Sequence, residues 1–336
     1  MISVDAMGGD NAPDDIVIGC IDALSVEDGY DIMIIGDSEK IQKILQQRKC
    51  YSPRISVKHA KECINNDDIP TKAIKSKKDS SMVIGLNLLK DKTSDVFISA
   101  GNTGALMTGA LLILGRIDGI DRPALAPMIP TKKGGAVLID AGLNTSCKPD
   151  NYLQFGIIGS IYMKEIMDIK NPRVGLINVG VEEEKGSEIT RHAYNKLANS
   201  GLNFVGNIEG REIPEGKVDV AVCDGFTGNV LLKFLEGVGS FIFEGLHKVY
   251  SKNLISKMAA FIVRNELRNF KRRLDYEEYG GTPILGVNGN VIKCHGSSNA
   301  KSIKNAITRA CRFAKSSLLE QIKREFGALG VENVGT

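Results

Sequence analysis

Residues 95–107 read Asp-Val-Phe-Ile-Ser-Ala-Gly-Asn-Thr-Gly-Ala-Leu-Met. The apolar run that ends at Ser99 is typical of a buried strand, and the glycine that follows allows a tight turn. Thr103 then stands where a helix begins, and we expect that helix to run over Thr103–Leu114. A strand, a glycine-rich loop and a helix in this order form the unit from which parallel α/β sheets are built.

Similar loops follow three other apolar runs: Asp5–Asp10 (DAMGGD), Asp140–Asn144 (DAGLN) and Asp224–Asn229 (DGFTGN). In open α/β sheets, ligands bind at the carboxyl ends of strands, where glycine admits a close backbone approach and helix N-termini attract anions. Ordinary caps and turns use the same residues. Recurrence after four strands nevertheless favours a phosphate-binding site. Its candidate binding residues are Asp5, Gly8, Gly9, Asp10, Ser99, Gly101, Asn102, Thr103, Gly104, Asn144, Asp224, Thr227, Gly228, Asn229 and, from a later glycine-rich segment, Ser297.

Short apolar runs alternate with helical periodicities along the chain, which predicts an α/β fold with a mostly parallel sheet and flanking helices. Strands are expected near Ile2–Asp5, Asp31–Ile35, Arg54–Val57, Asp95–Ser99, Ala136–Asp140, Arg173–Asn178, Asn203–Val205 and Val218–Cys223. Further helices are expected over Asp14–Val26, Glu39–Gln47, Ser81–Asp91, Asn151–Met167, Ser187–Ser200, Asn229–Val249 and Ala300–Phe326. Residues 280–298 carry turns typical of a hairpin. We expect one large α/β unit over 1–336, divisible into subdomains of about 1–100 with 280–336, and 101–279.

The composition argues against several classes of protein. The 336 residues carry a net charge of only +3 and include no Trp, which argues against a nucleic-acid partner. No segment approaches the ~20 apolar residues of a membrane span, and the N-terminus resembles a strand more than a signal peptide. We therefore expect a cytoplasmic protein. Seven scattered Cys and four His show no metal-binding spacing, so reduced thiols and no metal site are expected.

Three motifs that would indicate other chemistries are missing. The sequence has no Gly-x-Gly-x-x-Gly after its first strand, which disfavours a nicotinamide dehydrogenase, and it has no Walker A motif. It also has no Gly-x-Ser-x-Gly elbow, so a serine nucleophile of the hydrolase type is not expected. Phosphate is thus expected to bind without a nucleotide, and the sequence implies no cofactor.

Residues 248–274 differ from the rest of the chain in charge. Between Lys248 and Arg273, eight Lys and Arg residues stand against a single acid. The pattern predicts a basic amphipathic helix that meets an anionic membrane surface. An oligomer interface with a solvated basic edge explains it equally well, and the two can coexist. The candidate membrane-contact residues, which fall on one helical face, are Leu254, Met258, Phe261 and Ile262.

Five stretches together resemble the phosphate acyltransferase family called PlsX. They are Asp5–Asp10 with Pro13, Ser99–Met107, Asn178–Gly186 (NVGVEEEKG), Asp224–Lys233 (DGFTGNVLLK) and Tyr279–Ser298 (YGGTPILGVNGNVIKCHGSS). The matches follow one another in order, so the resemblance covers nearly the whole chain. One departure is Leu143, where the family usually has Ala.

The resemblance implies transfer of a long-chain fatty acyl group from acyl carrier protein to inorganic phosphate, giving acyl phosphate for phospholipid synthesis. It also implies a fold akin to the phosphotransacetylases and isopropylmalate dehydrogenases, with a helical appendage for dimerisation or membrane contact. The implied assembly is a homodimer, peripherally associated with the inner face of the cell membrane. A membrane glycerol-3-phosphate acyltransferase would take the product.

In such a reaction phosphate itself is the nucleophile, and Lys185 and His295 are the candidate catalytic residues. Lys185 would offset phosphate charge, and His295 would act as acid or base. The alternatives are a solvated Lys185 that pairs with Glu182 or Glu184, and a His295 with a purely structural role. Acyl carrier protein is acidic and should meet a basic patch, either residues 248–274 or the cluster Lys72, Lys75, Lys77 and Lys78.

Three competing functions remain at the level of the sequence. A phosphotransacetylase-like enzyme would use acyl-CoA as its donor, and the sequence does not distinguish the two donors. A non-catalytic scaffold for lipid synthesis at the membrane would leave the polar loops unexplained. An oxidoreductase of the isopropylmalate type would need a nucleotide fingerprint and metal-binding acids that the sequence lacks.

Overall fold

The computed structural model describes residues 1–274 and 280–332, and it places their strands in two sheets. The first sheet has seven strands, in the spatial order β3 (Ile55–His59), β2 (Ile32–Gly36), β1 (Ile2–Asp5), β4 (Val96–Ser99), β12 (Asn290–Lys293), β11 (Thr282–Leu285) and β5 (Ala124–Leu125). The second has five, in the order β6 (Met128–Thr131), β7 (Gly134–Ile139), β10 (Val220–Val222), β8 (Val174–Ile177) and β9 (Phe204–Ile208). The central strands pair in parallel, whereas β5, β6 and β11 make antiparallel pairs. The mostly parallel α/β fold is confirmed, with two sheets where one was predicted.

Helices flank both sheets. Those before residue 150 are α1 (Asp14–Leu24), α2 (Ser38–Gln47), α3 (Pro70–Ser76), α4 (Ser81–Lys90), α5 (Thr103–Gly109) with a π-helical turn over Ala110–Leu114, and the start of α6 (Pro149–Met167). The later helices are α7 (Glu188–Ala198), a 3₁₀ turn at Gly210–Glu212, α8 (Gly225–Ser251), α9 (Leu254–Ile262), α10 (Arg264–Leu274), α11 (Ala300–Lys315) and α12 (Leu318–Glu332). The predicted start of α5 at Thr103 is confirmed.

The two sheets share one continuous hydrophobic core. Buried side chains of β1, β7 and β10 belong to the same cluster as those of α6 and α11. Tyr162 on α6 and Phe313 on α11 are in ring contact, with centroids 5.9 Å apart. β5 joins the first sheet although it lies in the range expected for the second subdomain. Residues 275–279, at the end of that range, lie outside the described residues and include Tyr279 of the quoted motif.

Two predicted helices differ from the structure by more than the one or two residues seen at other helix ends, each for a local reason. The helix expected to start at Asn229 begins at Gly225, because the carboxylate of Asp224 accepts a hydrogen bond from the Thr227 amide, 2.7 Å away, and caps the helix earlier. The single helix expected over Ala300–Phe326 is two helices, since the extended backbone of Ser316 ends the first one. The short elements α3, β5 and β6 were not predicted, because pieces of two to seven residues leave little periodicity to detect.

Helix α8 corrects the expectation that no segment approaches the length of a membrane span. Its 27 residues are long and apolar enough to cross a membrane, with a mean hydropathy of 1.2 over the most apolar 18-residue window. Only 6% of that window is buried within the chain. The large apolar side chains that it exposes include Phe226, Val230, Phe234 and Phe241. Among the described residues, α8 packs on the second sheet through its first turns and contacts Phe270 through Phe243, while most of its apolar surface is exposed.

The first turn of α8 packs directly on the end of β7 at Gly228. A substitution of this glycine therefore tests the packing. A methyl group at this position would collide with the carbonyl oxygen of Asp140. We expect Gly228→Ala to lower the free energy of unfolding by about 3 kcal/mol, as overpacking in a close contact does. The control is Gly327→Ala on α12, where an added methyl meets nothing within 4 Å and should stabilise the helix by roughly 0.5–1 kcal/mol. Urea unfolding of both variants measures the difference, and equal effects would contradict the packing described.

Candidate active site

A cleft of about 260 Å³ lies where strand ends of the two sheets meet. One wall carries Thr103 at the start of α5 and the segment that follows β12. The opposite wall carries Ala141 and Gly142 after β7, together with one face of α8. This is the position predicted for ligand binding in an open α/β sheet. The polar side chains that line the cleft are Thr103, Asn229, Lys233, Glu236, Thr282, Lys293, His295, Ser298 and Ser302.

The first wall is held together by the buried carboxylate of Asp5. It accepts hydrogen bonds from the Ser99 hydroxyl at 2.7 Å and from the Met7 amide at 3.0 Å. Burial raises the pKa of Asp5, and these hydrogen bonds counteract the rise only in part. Asp5 and Ser99 therefore connect the loops that follow β1 and β4, and neither side chain lines the cleft.

Glycines allow these loops to approach each other. A methyl group on Gly8 would lie 2.5 Å from the amide nitrogen of Gly101, so only glycine fits there. Gly9 has a φ of +101°, and its neighbour Asp10 donates its amide hydrogen to the Gly296 carbonyl at 2.7 Å. The loops after β1, β4 and β12 thus form one packed unit.

The side chain of Asn102 serves the loop structure. Its Oδ1 caps α5 by accepting from the Ala105 amide at 3.0 Å, and its Nδ2 donates to the Asn66 carbonyl at 2.9 Å. Thr103, the next residue, is exposed and lines the cleft. Gly104 packs against Pro70 of α3. Of the candidates on this loop, Thr103 is the one whose position meets the cleft directly.

The second wall is organised by the buried carboxylate of Asp140. It accepts from the amides of Leu125, Leu143 and Asn144 at 2.7–3.1 Å and from the side chain of Asn144 at 2.9 Å. Burial raises the pKa of Asp140 despite these donors. Asn144 is itself buried and donates its side-chain amide to the Pro123 carbonyl at 2.8 Å. Asp140 and Asn144 therefore shape the loop that presents Gly142 to the cleft.

The first turn of α8 completes this wall. Asp224 caps the helix and also accepts a hydrogen bond from the Tyr152 hydroxyl at 3.2 Å. Thr227 contributes its amide to that cap, and Gly228 packs on the β7 end. Asn229 is exposed, faces Gly142 and lines the cleft. The structure therefore brings Thr103 and Asn229 together with His295, whereas most other candidate residues support the loops that carry them.

Lys293 is a cleft residue that the sequence analysis missed. Its side chain is buried, and its ammonium group donates to the carbonyl oxygens of Cys294 and, at 3.4 Å, Ala100. Desolvation lowers the pKa of Lys293. The sequence did carry a signal for this residue. Lys293 ends the apolar strand Asn290–Lys293, two residues before His295, and buried lysines are rare without a role.

His295 is exposed at the cleft, and its ring orientation is set locally. Its Nδ1 accepts from the Ser297 amide at 3.2 Å and lies 2.8 Å from the Ser297 hydroxyl. Since Nδ1 is an acceptor, the neutral ring carries its proton on Nε2. Ser297 thus acts on the orientation of His295.

Lys185 lies apart from the cleft lining. It belongs to the exposed loop after β8, where its carbonyl accepts from the Asn178 side chain at 3.0 Å. Among residues 1–274 and 280–332, Lys185 forms no ion pair, so the alternative pairing with Glu182 or Glu184 is not observed. Its assigned catalytic role stays a prediction.

Known proteins resemble this chain in sequence and in fold. The family model described as "Fatty acid synthesis protein" matches residues 1–321. The chain belongs to that family. It is 56% identical over 334 residues to a phosphate acyltransferase of Acetivibrio thermocellus, covering 99% of this chain and 98% of the relative. It is 51% identical over 331 residues to a phosphate acyltransferase of Alkaliphilus oremlandii, covering 98% of each.

The family assignment confirms the resemblance to PlsX and makes the chain an acyltransferase of fatty acid and lipid synthesis. Among solved structures, a phosphotransacetylase from Streptococcus pyogenes superposes with a TM-score of 0.63. The two share 16% identity, and the match covers 94% of each chain. This likeness confirms the predicted phosphotransacetylase-like fold.

The hydrogen bonds of Asp140 predict a large effect of its removal. We expect Asp140→Ala to lower the free energy of unfolding by about 3 kcal/mol, because three backbone amides lose a buried acceptor. The matched control is Asp150→Ala, whose carboxylate forms a surface ion pair with Lys196 at 2.8 Å and should contribute less than about 1 kcal/mol. Urea unfolding measures both, and an Asp140 effect as small as that of Asp150 would show that the amides find other acceptors.

Proposed function

We propose that the protein transfers a long-chain fatty acyl group from an acyl carrier protein thioester to inorganic phosphate, giving acyl phosphate for phospholipid synthesis. One observation carries the proposal. The cleft combines a buried cation, Lys293, and the imidazole of His295 with the first turns of α5 and α8. The carrier-protein donor and the phospholipid pathway go beyond the family assignment and are part of this proposal.

The chemistry requires no side-chain nucleophile. An oxygen of hydrogen phosphate attacks the thioester carbonyl and forms a C–O bond, and the C–S bond then breaks with its electron pair leaving on sulfur. The proton of hydrogen phosphate ends on the thiolate, so the products are acyl phosphate and a free thiol. His295 is placed to donate its Nε2 proton to the departing thiolate, and the proton of hydrogen phosphate then restores the ring. What remains for the protein is to orient two substrates and to stabilise the oxyanion.

The cleft divides into parts that suit these two substrates. Lys293, the helix start at Thr103, the side chain of Asn229 and backbone amides of the glycine loops offer hydrogen-bond donors to an anion. Leu125, Pro127, Met128, Ala141 and Leu232 form an apolar lining suited to an acyl chain. The lining thus offers polar groups for phosphate and apolar groups for a fatty acyl chain in one cleft.

The surface supports a placement at the membrane as a homodimer. On α9, Leu254, Met258, Phe261 and Ile262 are 68–79% exposed, as a membrane-contact face requires. We propose that this face meets the inner leaflet, where a membrane glycerol-3-phosphate acyltransferase consumes the product. The exposed apolar side of α8 is proposed as the dimer interface.

Acyl carrier protein is proposed to dock on basic side chains near the cleft. Lys72, Lys75 and Lys78 are exposed on or beside α3, which packs against α5. Lys77 is less accessible, since its ammonium group lies 2.6 Å from Asp68. The basic residues of 248–274 are the second candidate surface, although the side chains of 271–274 lie outside those described.

The reaction is tested by mixing the purified protein with a long-chain acyl carrier protein thioester and phosphate. We expect phosphate-dependent formation of acyl phosphate, and we expect His295→Ala to lower kcat about 100-fold because the proton carrier is lost. An acyl-CoA of the same chain length, assayed in parallel, identifies the donor. No turnover with either donor would reject the reaction, and faster turnover with acyl-CoA would reject the carrier-protein donor.

The same assay decides the role of Lys185. If this lysine reaches the reactants from its exposed loop, Lys185→Ala should lower kcat at saturating substrates by at least tenfold. Wild-type kcat and KM values would remove it from the mechanism. Lys217→Ala, which removes an exposed lysine that pairs with Glu212, provides the matched control.

Membrane contact predicts an effect of two charges on α9. We expect the double variant Leu254→Glu and Ile262→Glu to lose binding to anionic phospholipid vesicles, because two carboxylates replace side chains that are 79% and 78% exposed on the apolar face. Ile189→Glu with Val205→Glu makes the same change at exposed sites elsewhere, at 46% and 45% exposure, and should retain binding. Sedimentation with vesicles measures both, and retained binding of the α9 variant would refute this contact.

A further inference from the structure

An ion pair on α8 projects into the cleft and has no part in the mechanism described so far. The ammonium group of Lys233 lies 2.8 Å from Oε2 of Glu236, one helical turn further on. Both residues line the cleft, together with Asn229 of the same helix and with Lys293 and His295 opposite. An ion pair with a solvent-exposed partner contributes little to stability, so stability does not explain why this pair lies in the cleft.

The two partners differ in their access to solvent. The side chain of Lys233 is 51% exposed, whereas that of Glu236 is only 18% exposed. Lysine carries its charge on a flexible four-carbon chain, so Lys233 can turn from Glu236 to another acceptor at small cost. Glu236 is largely covered and stays in place as a fixed negative charge at the cleft.

Lys233 and Lys293 also act on the same region of the cleft. The charge of Lys233 contributes to the lowered pKa of Lys293, behind desolvation as the main cause, which places the two ammonium groups within electrostatic reach of each other. Lys293 donates to carbonyl oxygens and lacks a direct carboxylate partner among the described residues. Two ammonium groups on facing walls form a site for a small anion with several acceptor oxygens.

We propose that Lys233 pairs with Glu236 while the cleft is empty, and turns from Glu236 to bind the phosphate that accepts the acyl group when phosphate enters. This inference rests on the proposed function, since it assigns a residue to the phosphate of that reaction. Phosphate has several acceptor oxygens, and Lys233 and Lys293 both line the cleft that would hold it. Phosphate must compete with Glu236 for the ammonium group of Lys233. This carboxylate therefore lowers the affinity of the cleft for phosphate.

The experiment measures phosphate affinity directly, by equilibrium dialysis of the full chain with radiolabelled phosphate, and separately measures KM for each substrate. We expect Lys233→Ala to raise the Kd and KM for phosphate about tenfold, as the loss of a charged hydrogen bond does, with the KM for the acyl thioester within about twofold. Lys233→Arg should restore phosphate affinity to within about threefold. Glu236→Gln should bind phosphate about threefold more tightly, because the competing charge is gone.

A matched control is Lys323→Ala on α12, which removes the lysine of another ion pair one helical turn apart, Lys323 with Glu320. It should leave phosphate affinity unchanged. Unchanged phosphate affinity in Lys233→Ala, or weaker binding in Glu236→Gln, would overturn the inference. A rise confined to the KM of the thioester would also overturn the inference, because it would place Lys233 at the acyl donor and not at phosphate. If the unaltered protein itself neither binds phosphate nor forms acyl phosphate, the proposed function fails as well.

Discussion

Two buried aspartates fix the geometry on which the cleft depends. Asp5 connects the loops after β1 and β4 in the first sheet, and Asp140 gathers the amides of the loop after β7 in the second. A buried carboxylate that is fully hydrogen-bonded allows little variation in position, because every lost donor leaves a polar group without a partner. The glycines between them then permit close loop contacts that any larger residue would prevent. The walls of the cleft follow from these contacts.

The sequence predicted the strand ends better than it predicted the roles of the residues in them. The start of α5 at Thr103, and the place of Thr103 and Asn229 at one edge, followed from local pattern and from the rule for parallel sheets. His295 was chosen as the acid–base candidate of the reaction that the resemblance implied. The same patterns did not separate side chains that face the cleft from those that hold loops. Whether Asn102 turns its amide to solvent or to the Asn66 carbonyl is decided by a tertiary contact 36 residues away in sequence. Lys293 was missed because its burial and its hydrogen bond to the Ala100 carbonyl depend on a contact far away in sequence.

Charge within the cleft is distributed unevenly. Lys293 is held in a desolvated position by carbonyl groups, so its charge acts over a longer range than it would in water. His295 is exposed, and its hydrogen bonds with Ser297 fix its tautomer. A lysine beside an imidazole would suit acyl transfer, in which negative charge moves from phosphate to the carbonyl oxygen and then to sulfur. The acyltransferase family assignment and this charge arrangement therefore point to the same chemistry.

Helix α8 begins at the cleft and ends beside the exposed apolar side chains of α9. Its 27 residues extend about 40 Å, so the same rigid helix connects the cleft with the exposed face of α9. A tilt of a few degrees at its base would displace its far end by several times the shift at Asn229. If an occupied cleft and an attached α9 favour the same tilt, each must strengthen the other by an equal free energy. The helix would then make affinity for small ligands and adhesion to a surface a single linked equilibrium.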